Sequence, residues 1–349
     1  MVAESEIAEV RRVYAEAERS VLSRISNRLQ KGKSLDISEW ERQKLQELRT
    51  MRNGIDNDIV KKLNNFNDDK LEQLIQKSYK QGSDQAAASL KKVLSEEVQD
   101  TLILSDQRAV RALTEEYQQS LAQTHLRILR QADDVYRRAV REGAQYVTSG
   151  AGTRLEGSQR ILNDFANRGI TGFQDKAGRS WNLSSYVEMA TRTATGRAQV
   201  EGNINRMQQN NIDLVVVSAH VESCELCDPW EGEILSVSGN NDDYPSVQDA
   251  RDGQLFHPNC RHNLTAYIEG LTETPEPVEG KETYEDRQQQ RYLERGTRKW
   301  KRRQQAAMTD REQMKTDAKV SEWQGRLREF TDDTGRRRKY EREQINEAR

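Results

Sequence analysis

The chain has 349 residues, of which 32% are charged and only 34% hydrophobic, and its 55 basic and 57 acidic residues leave a formal net charge of -2. Near-neutrality excludes a global field for holding DNA or an anionic membrane, so any nucleic-acid contact has to be local. A mean hydropathy of -0.98 excludes an evenly apolar fold and points to amphipathic helices that each bury a narrow stripe.

The N-terminal MVAESEIAEVRRVY lacks the apolar core of a signal peptide, and no later stretch approaches the ~18 apolar residues of a spanning helix, so a soluble, unexported chain is expected. From residue 4 to about 30, Ile7, Val10, Tyr14, Ala17, Val21, Ile25 and Leu29 recur at steps of three and four, which aligns them on one side of a helix. After Gly32, Asp36 followed by Glu39 has the spacing of a capping box and opens a second helix carrying Trp40, Leu45 and Leu48. Helical text continues to about Leu94. A long segment from Asp106 to about Val147 repeats the stripe with Val110, Leu113, Tyr117, Leu121, Ile128, Ala132, Val135 and Ala139. His125 falls on that stripe and reads as a core or interface histidine.

SGAGTRLEG, at Ser149, ends the helical array with glycines. Helical text resumes over Ser158 to Phe165 and Leu183 to Asn203, with GITGFQDKAGRS as the loop between them. IDLVVVSAH then reads as a buried strand, and GEILSVSG and HNLTAYI have strand character too. EGLTETPEPVEGKET is acidic and carries Pro275 and Pro277, which resist helix and sheet pairing. The expected fold is therefore α+β and predominantly helical. Residues 1–150 form long N-terminal helices and 151–270 a small α+β module; 271–283 is a linker and 284–349 a charged helical tail.

The residues able to carry chemistry are Cys224, Cys227, His257, Cys260 and His262, in CELC and, roughly thirty residues later, HPNCRH. Two thiolates separated by two residues face one ion from a tight turn, and a second pair returning from a distant loop completes the tetrahedron that zinc prefers. A structural zinc ion is expected to staple the module. The fourth ligand is open between His257 and His262, and His220, after the first strand, is a further ligand or a hydrogen-bond partner of one. The alternative is reduced cysteines or a single disulfide in a compact loop.

Two enzymatic readings compete with the staple. A His-Pro-Asn-Cys-Arg-His run near paired cysteines is reminiscent of zinc-supported nucleases, but these need another histidine beyond the motif, and none follows His262. Glu231 and Glu233 in WEGE have the Glu-x-Glu spacing of ADP-ribosyltransferases, though a surface turn accounts for two glutamates around a glycine. A third reading is DNA binding in packaging or ejection. Arg287, Arg291, Arg295, Arg298, Lys299, Lys301, Arg302 and Arg303 gather positive charge around Trp300, and spacings of four put the first three on one helix face, a candidate for weak phosphate contact.

Ordered blocks between Ser158 and Arg303 carry a resemblance. SYVEMATRTATGRA, NIDLVVVSAHVESCELCDPWEGEILSVSG, GQLFHPNCRHNLTAYIEG and YEDRQQQRYLERGTRKWKRR, in that order, resemble the phage minor capsid family and, more loosely, the F-type head morphogenesis proteins of Mu-like phages. The resemblance implies a virion component, made in the host cytoplasm and built in few copies into the head interior near the portal; it does not imply catalysis, and the chain is expected not to be an enzyme. Its implied partners are the portal protein and a major capsid or scaffold protein, with no membrane.

Overall fold

The computed structural model describes residues 4–32, 35–93, 104–174, 180–276, 278 and 283–345. Pro277 and residues 279–282 of the expected linker, and the last four residues of the tail, lie outside them. The first helix, α1 (Glu4–Gln30), buries all seven residues of its predicted stripe. Asp36 caps α2 (Ile37–Gln46) by accepting from the backbone N–H groups of Ser38 and Glu39, which satisfies two donors that a helix start leaves without partners. A third helix, α3 (Leu48–Ile55), runs through a π-helical turn at Asp56–Val60 into α4 (Lys61–Val93). The longest helix, α5 (Leu104–Thr148), buries Tyr117, Leu121, Ile128, Ala132, Val135 and Ala139, whereas Val110 and Leu113 near its start are half-buried.

A capping box between Thr153 and Glu156 opens α6 (Arg154–Arg168), and Gly169, at φ 72°, closes it. The expected loop that follows differs from the reading. It carries two short antiparallel strands, β1 (Thr171–Gln174) and β2 (Ser180–Asn182), too short to show a period-2 pattern in sequence. Next come α7 (Leu183–Gln209) and the three predicted strands, β3 (Leu214–Val217), β4 (Ile234–Ser236) and β5 (Leu264–Ala266). Strand β3 lies in the middle and pairs antiparallel with both neighbours. Its Val215, Val216 and Val217 are all buried, as an unbroken apolar run in a covered central strand requires. A short α8 (Val247–Asp252) lies between β4 and β5, and α9 (Tyr284–Gln305) and α10 (Asp310–Thr334) complete the chain. None of the described helices is long and apolar enough to cross a membrane.

Contacts group the chain into two units, each drawn from three separated stretches. One unit comprises 1–7, 67–119 and 189–287, and its core joins Ala86 and Leu90 of α4 and Ile204 and Met207 of α7 to the sheet residues Val215, Val217, Leu235 and Leu264. The other comprises 8–66, 120–188 and 288–349. In it His125 is buried, as expected, between the Tyr14 hydroxyl at 2.8 Å and Asn64 Oδ1 at 2.5 Å.

Candidate metal centre

The loops after β3 and before β5 bring all five predicted metal-ligating residues together in the sheet-bearing unit. Each loop makes the same device. In CELC the Cys227 N–H donates to the Cys224 carbonyl at 2.9 Å, and in HPNC the Cys260 N–H donates to the His257 carbonyl at 2.9 Å. A turn closed in this way puts its first and fourth side chains on one side, and here those are Cys224 with Cys227 and His257 with Cys260. The turns meet. Cys224 Sγ lies 3.0 Å from His257 Nε2, and Cys227 Sγ lies 3.6 Å from Cys260 Sγ. His257 Nδ1 faces the Pro258 carbonyl at 2.8 Å, to which it can only donate, so the lone pair sits on Nε2, toward the thiols. His257 thus groups with Cys224 and Cys227, and His262 with Cys227 and Cys260, the ligand atoms of each group lying within 4.8 Å of one another.

His262 has a different orientation. Its Nδ1 is 3.4 Å from Cys260 Sγ, and its Nε2 is 2.7 Å from Glu231 Oε1, with both side chains only 2% exposed. Glu231 also accepts the backbone N–H of His220 at 3.2 Å, and the rings of His220 and His262 lie 4.3 Å apart. Sequence reasoning treated Glu231 as a surface residue, because nothing in WEGE reports that the turn faces inward.

The electrostatics favour anionic sulfur. Cys260 is drawn down to about 4, first by its bond from Cys227 and further by His262, against the effect of burial. Cys227 keeps the shared proton, raised by its bond to Cys260 and by burial. Burial pulls His262 down, but its bonds to Cys260 and Glu231 outweigh this and leave it raised. The surrounding backbone is held in unusual conformations. Glu222, Phe256 and Asn259 have φ of 68°, 61° and 71°, each adding local strain of about 1 kcal/mol or more that the packed sheet has to offset. Helix α7 buttresses the second loop, with Asn203 Nδ2 donating to the Leu264 carbonyl at 2.9 Å and Thr193 Oγ1 accepting from the Asn259 N–H at 3.3 Å. The structure does not pair Glu233 with Glu231 in a cleft: Glu233 is exposed, while Glu231 is engaged by the histidines.

The basic residues of α9 are not gathered on one open face. Arg287 pairs with Glu222 at 3.3 Å and Arg291 with Glu188 at 2.7 Å. Arg298, Arg302 and Arg303 are buried, with Arg302 Nε donating to the Ala166 carbonyl at 3.0 Å and Arg303 pairing with Glu312. The helix packs into its unit and spends these guanidinium groups internally, so only part of the face expected to contact phosphate is open. Arg295 is exposed, and Lys299 and Lys301 are half-buried.

A mostly helical chain carrying a small antiparallel sheet whose loops cluster cysteine and histidine defines a helical protein with one cysteine-rich module. The profile of the family described as phage minor capsid protein 2 matches residues 3–332, and the chain belongs to that family. A curated relative from Lactococcus phage LL-H, named "Structural protein", is 27% identical over 186 residues, which cover 50% of this chain and 50% of that protein. The chain thus matches about half of that relative's length. No solved structure matches. By family, the chain is a structural head protein of a bacteriophage.

Proposed function

We propose that this minor capsid protein enters the head in few copies on its interior side next to the portal, with portal protein and a major capsid or scaffold protein as direct partners, after synthesis in the host cytoplasm. The observation that carries the reading is the family match over residues 3–332, which takes in the helical stretches as well as the cysteine-rich module. Within it the protein acts by shape and not by catalysis, with Cys224, Cys227, His257 and Cys260 holding one structural zinc ion. The two matching turns and the inward lone pair of His257 support that set, and four protein ligands leave the ion no open position for an activated water.

Mass spectrometry of purified procapsids and mature particles, with chemical cross-linking, tests the placement. The protein is expected in both, cross-linked to portal. Absence from both particles sinks the minor capsid placement, and cross-links confined to the outer capsid surface sink the portal-proximal one.

A further inference from the structure

We infer that His220, Glu231 and His262 form a second site, for one divalent transition-metal ion held by two imidazole nitrogens and one carboxylate oxygen, beside the cysteine centre. The inference rests on His257, and not His262, being the fourth ligand of that centre. One ligand atom from each of the three residues lies within 4.8 Å of the others. Bonds of about 2.0–2.2 Å from nitrogen and carboxylate oxygen to zinc place such atoms roughly 3–3.5 Å apart, so the ion fits with small side-chain adjustments.

The tautomers point the same way. His220 Nδ1 faces the Val221 carbonyl at 2.8 Å, so it carries the proton, and Nε2 carries the lone pair. That Nε2 is buried with no hydrogen-bond partner. A buried acceptor with nothing to accept from is rare and needs a reason, and a cation supplies one. Around His262, the ion takes the place of the proton shared between Nε2 and Glu231 at 2.7 Å. The displaced proton then sits on Nδ1, which donates to Cys260 Sγ at 3.4 Å. His262 is thereby a ligand of the second ion and a hydrogen-bond donor to a thiolate of the first, which couples the two.

The surroundings suit a cation. A pocket of about 220 Å³ opens beside His220 and Glu231, which line it together with the further carboxylates of Glu222, Glu225, Asp228 and Glu285. Such a lining draws divalent cations and leaves room for water in the fourth position. Two imidazoles with one carboxylate suit zinc, cobalt or nickel better than calcium or magnesium, which prefer all-oxygen sets.

The test uses the full-length protein, equilibrated with zinc, desalted and analysed for zinc per chain. A parallel cobalt(II) preparation reports the cysteine centre alone through its thiolate-to-cobalt charge-transfer band. Two ions per chain are expected, and His220→Ala and Glu231→Gln are each expected to remove one while the thiolate band persists. Glu231→Gln keeps the side chain's shape, and circular dichroism verifies that both variants fold. One ion in the parent protein, unchanged in His220→Ala, overturns the second site, as do two ions retained in both variants. A missing thiolate band with one ion still lost in His220→Ala overturns the cysteine centre and leaves the second site standing. No bound ion at all overturns both.

Discussion

Gly202 of α7 stands directly against Tyr79 of α4: a Cβ on Gly202 would lie 2.1 Å from the Tyr79 carbonyl oxygen. Three residues earlier in α7, the Gln199 carbonyl would lie 1.9 Å from a Cβ on Gly82, so two glycines, one from each helix, make the crossing. Backbone contact this close also positions Tyr79, whose hydroxyl donates to Asp106 at 2.6 Å. Gly202→Ala gains up to about 1 kcal/mol of helix propensity but forces the helices apart, an overpacking cost of about 1–3 kcal/mol, so it destabilises on balance. Around Gly325 in α10 there is open space, with nothing within 4 Å of where an alanine methyl would sit, and Gly325→Ala is expected to stabilise by about 0.5–1 kcal/mol. Urea denaturation of both variants decides; a stable Gly202→Ala protein would show that the helices do not meet this closely.

Removing the proposed zinc should loosen the sheet-bearing unit before the rest. An ion at about a hundredfold over its dissociation constant contributes about 2.7 kcal/mol, which chelation withdraws. Cys260→Ser and His257→Ala should lose the cysteine-centre ion and that stability together. Hydrogen exchange should report faster opening of β3 and β5, with α1 still protected. Unchanged exchange after chelation would remove the ion's structural role.

The three sheet strands and the long helices were legible because their signals are local: β-branched runs, stripes at three and four, a cap at Asp36; the Thr153 capping box that starts α6 inside the glycine-rich break was not. That the cysteines and histidines come together was legible by spacing, while their pairing was not, since it depends on two turns meeting at one end of neighbouring strands. Glu231 was missed because its burial is decided by the fold of a loop. The fate of the α9 arginines was hidden for the same reason. Spacing gives a helix face, but only packing tells whether that face meets solvent or Glu18, Ala166 and Glu188.

Arginines buried in this way should matter for stability. Arg302 and Glu18 are 3% and 1% exposed and 3.7 Å apart. Arg302→Ala leaves the Glu18 carboxylate buried without that cation, a loss of about 3–5 kcal/mol in comparable buried pairs. Arg295→Ala, at an exposed position, should stay within about 0.5 kcal/mol of the parent. Denaturation midpoints separate the two, and equally small effects would argue that Arg302 is solvated. In gel shifts at rising salt, Arg295→Ala is the variant expected to lower any residual DNA affinity.

Two buried groups in the second unit should give opposite pH responses. His125, desolvated by burial between Tyr14 and Asn64, is lowered from 6.5 to about 4, and Glu294, also desolvated although Arg291 and Arg298 oppose the shift, is raised from 4.5 to about 7. For His125 the unfolded chain binds the proton more readily, so the stability it contributes is present above 6.5 and is lost as pH falls through about 4. For Glu294 the folded chain binds the proton more readily, so its contribution is present below 4.5 and is lost as pH rises through about 7. Each of these displacements corresponds to about 3 kcal/mol, so the two slopes nearly cancel between 4.5 and 6.5. The parent protein should therefore show a flat stability profile there. Glu294→Gln should expose the histidine's slope, with stability falling toward acid, and His125→Gln should expose the glutamate's, with stability falling toward base. Urea midpoints measured across this range test the pair, and a Glu294→Gln profile that matches the parent's would mean that Glu294 is ionised in the folded protein throughout.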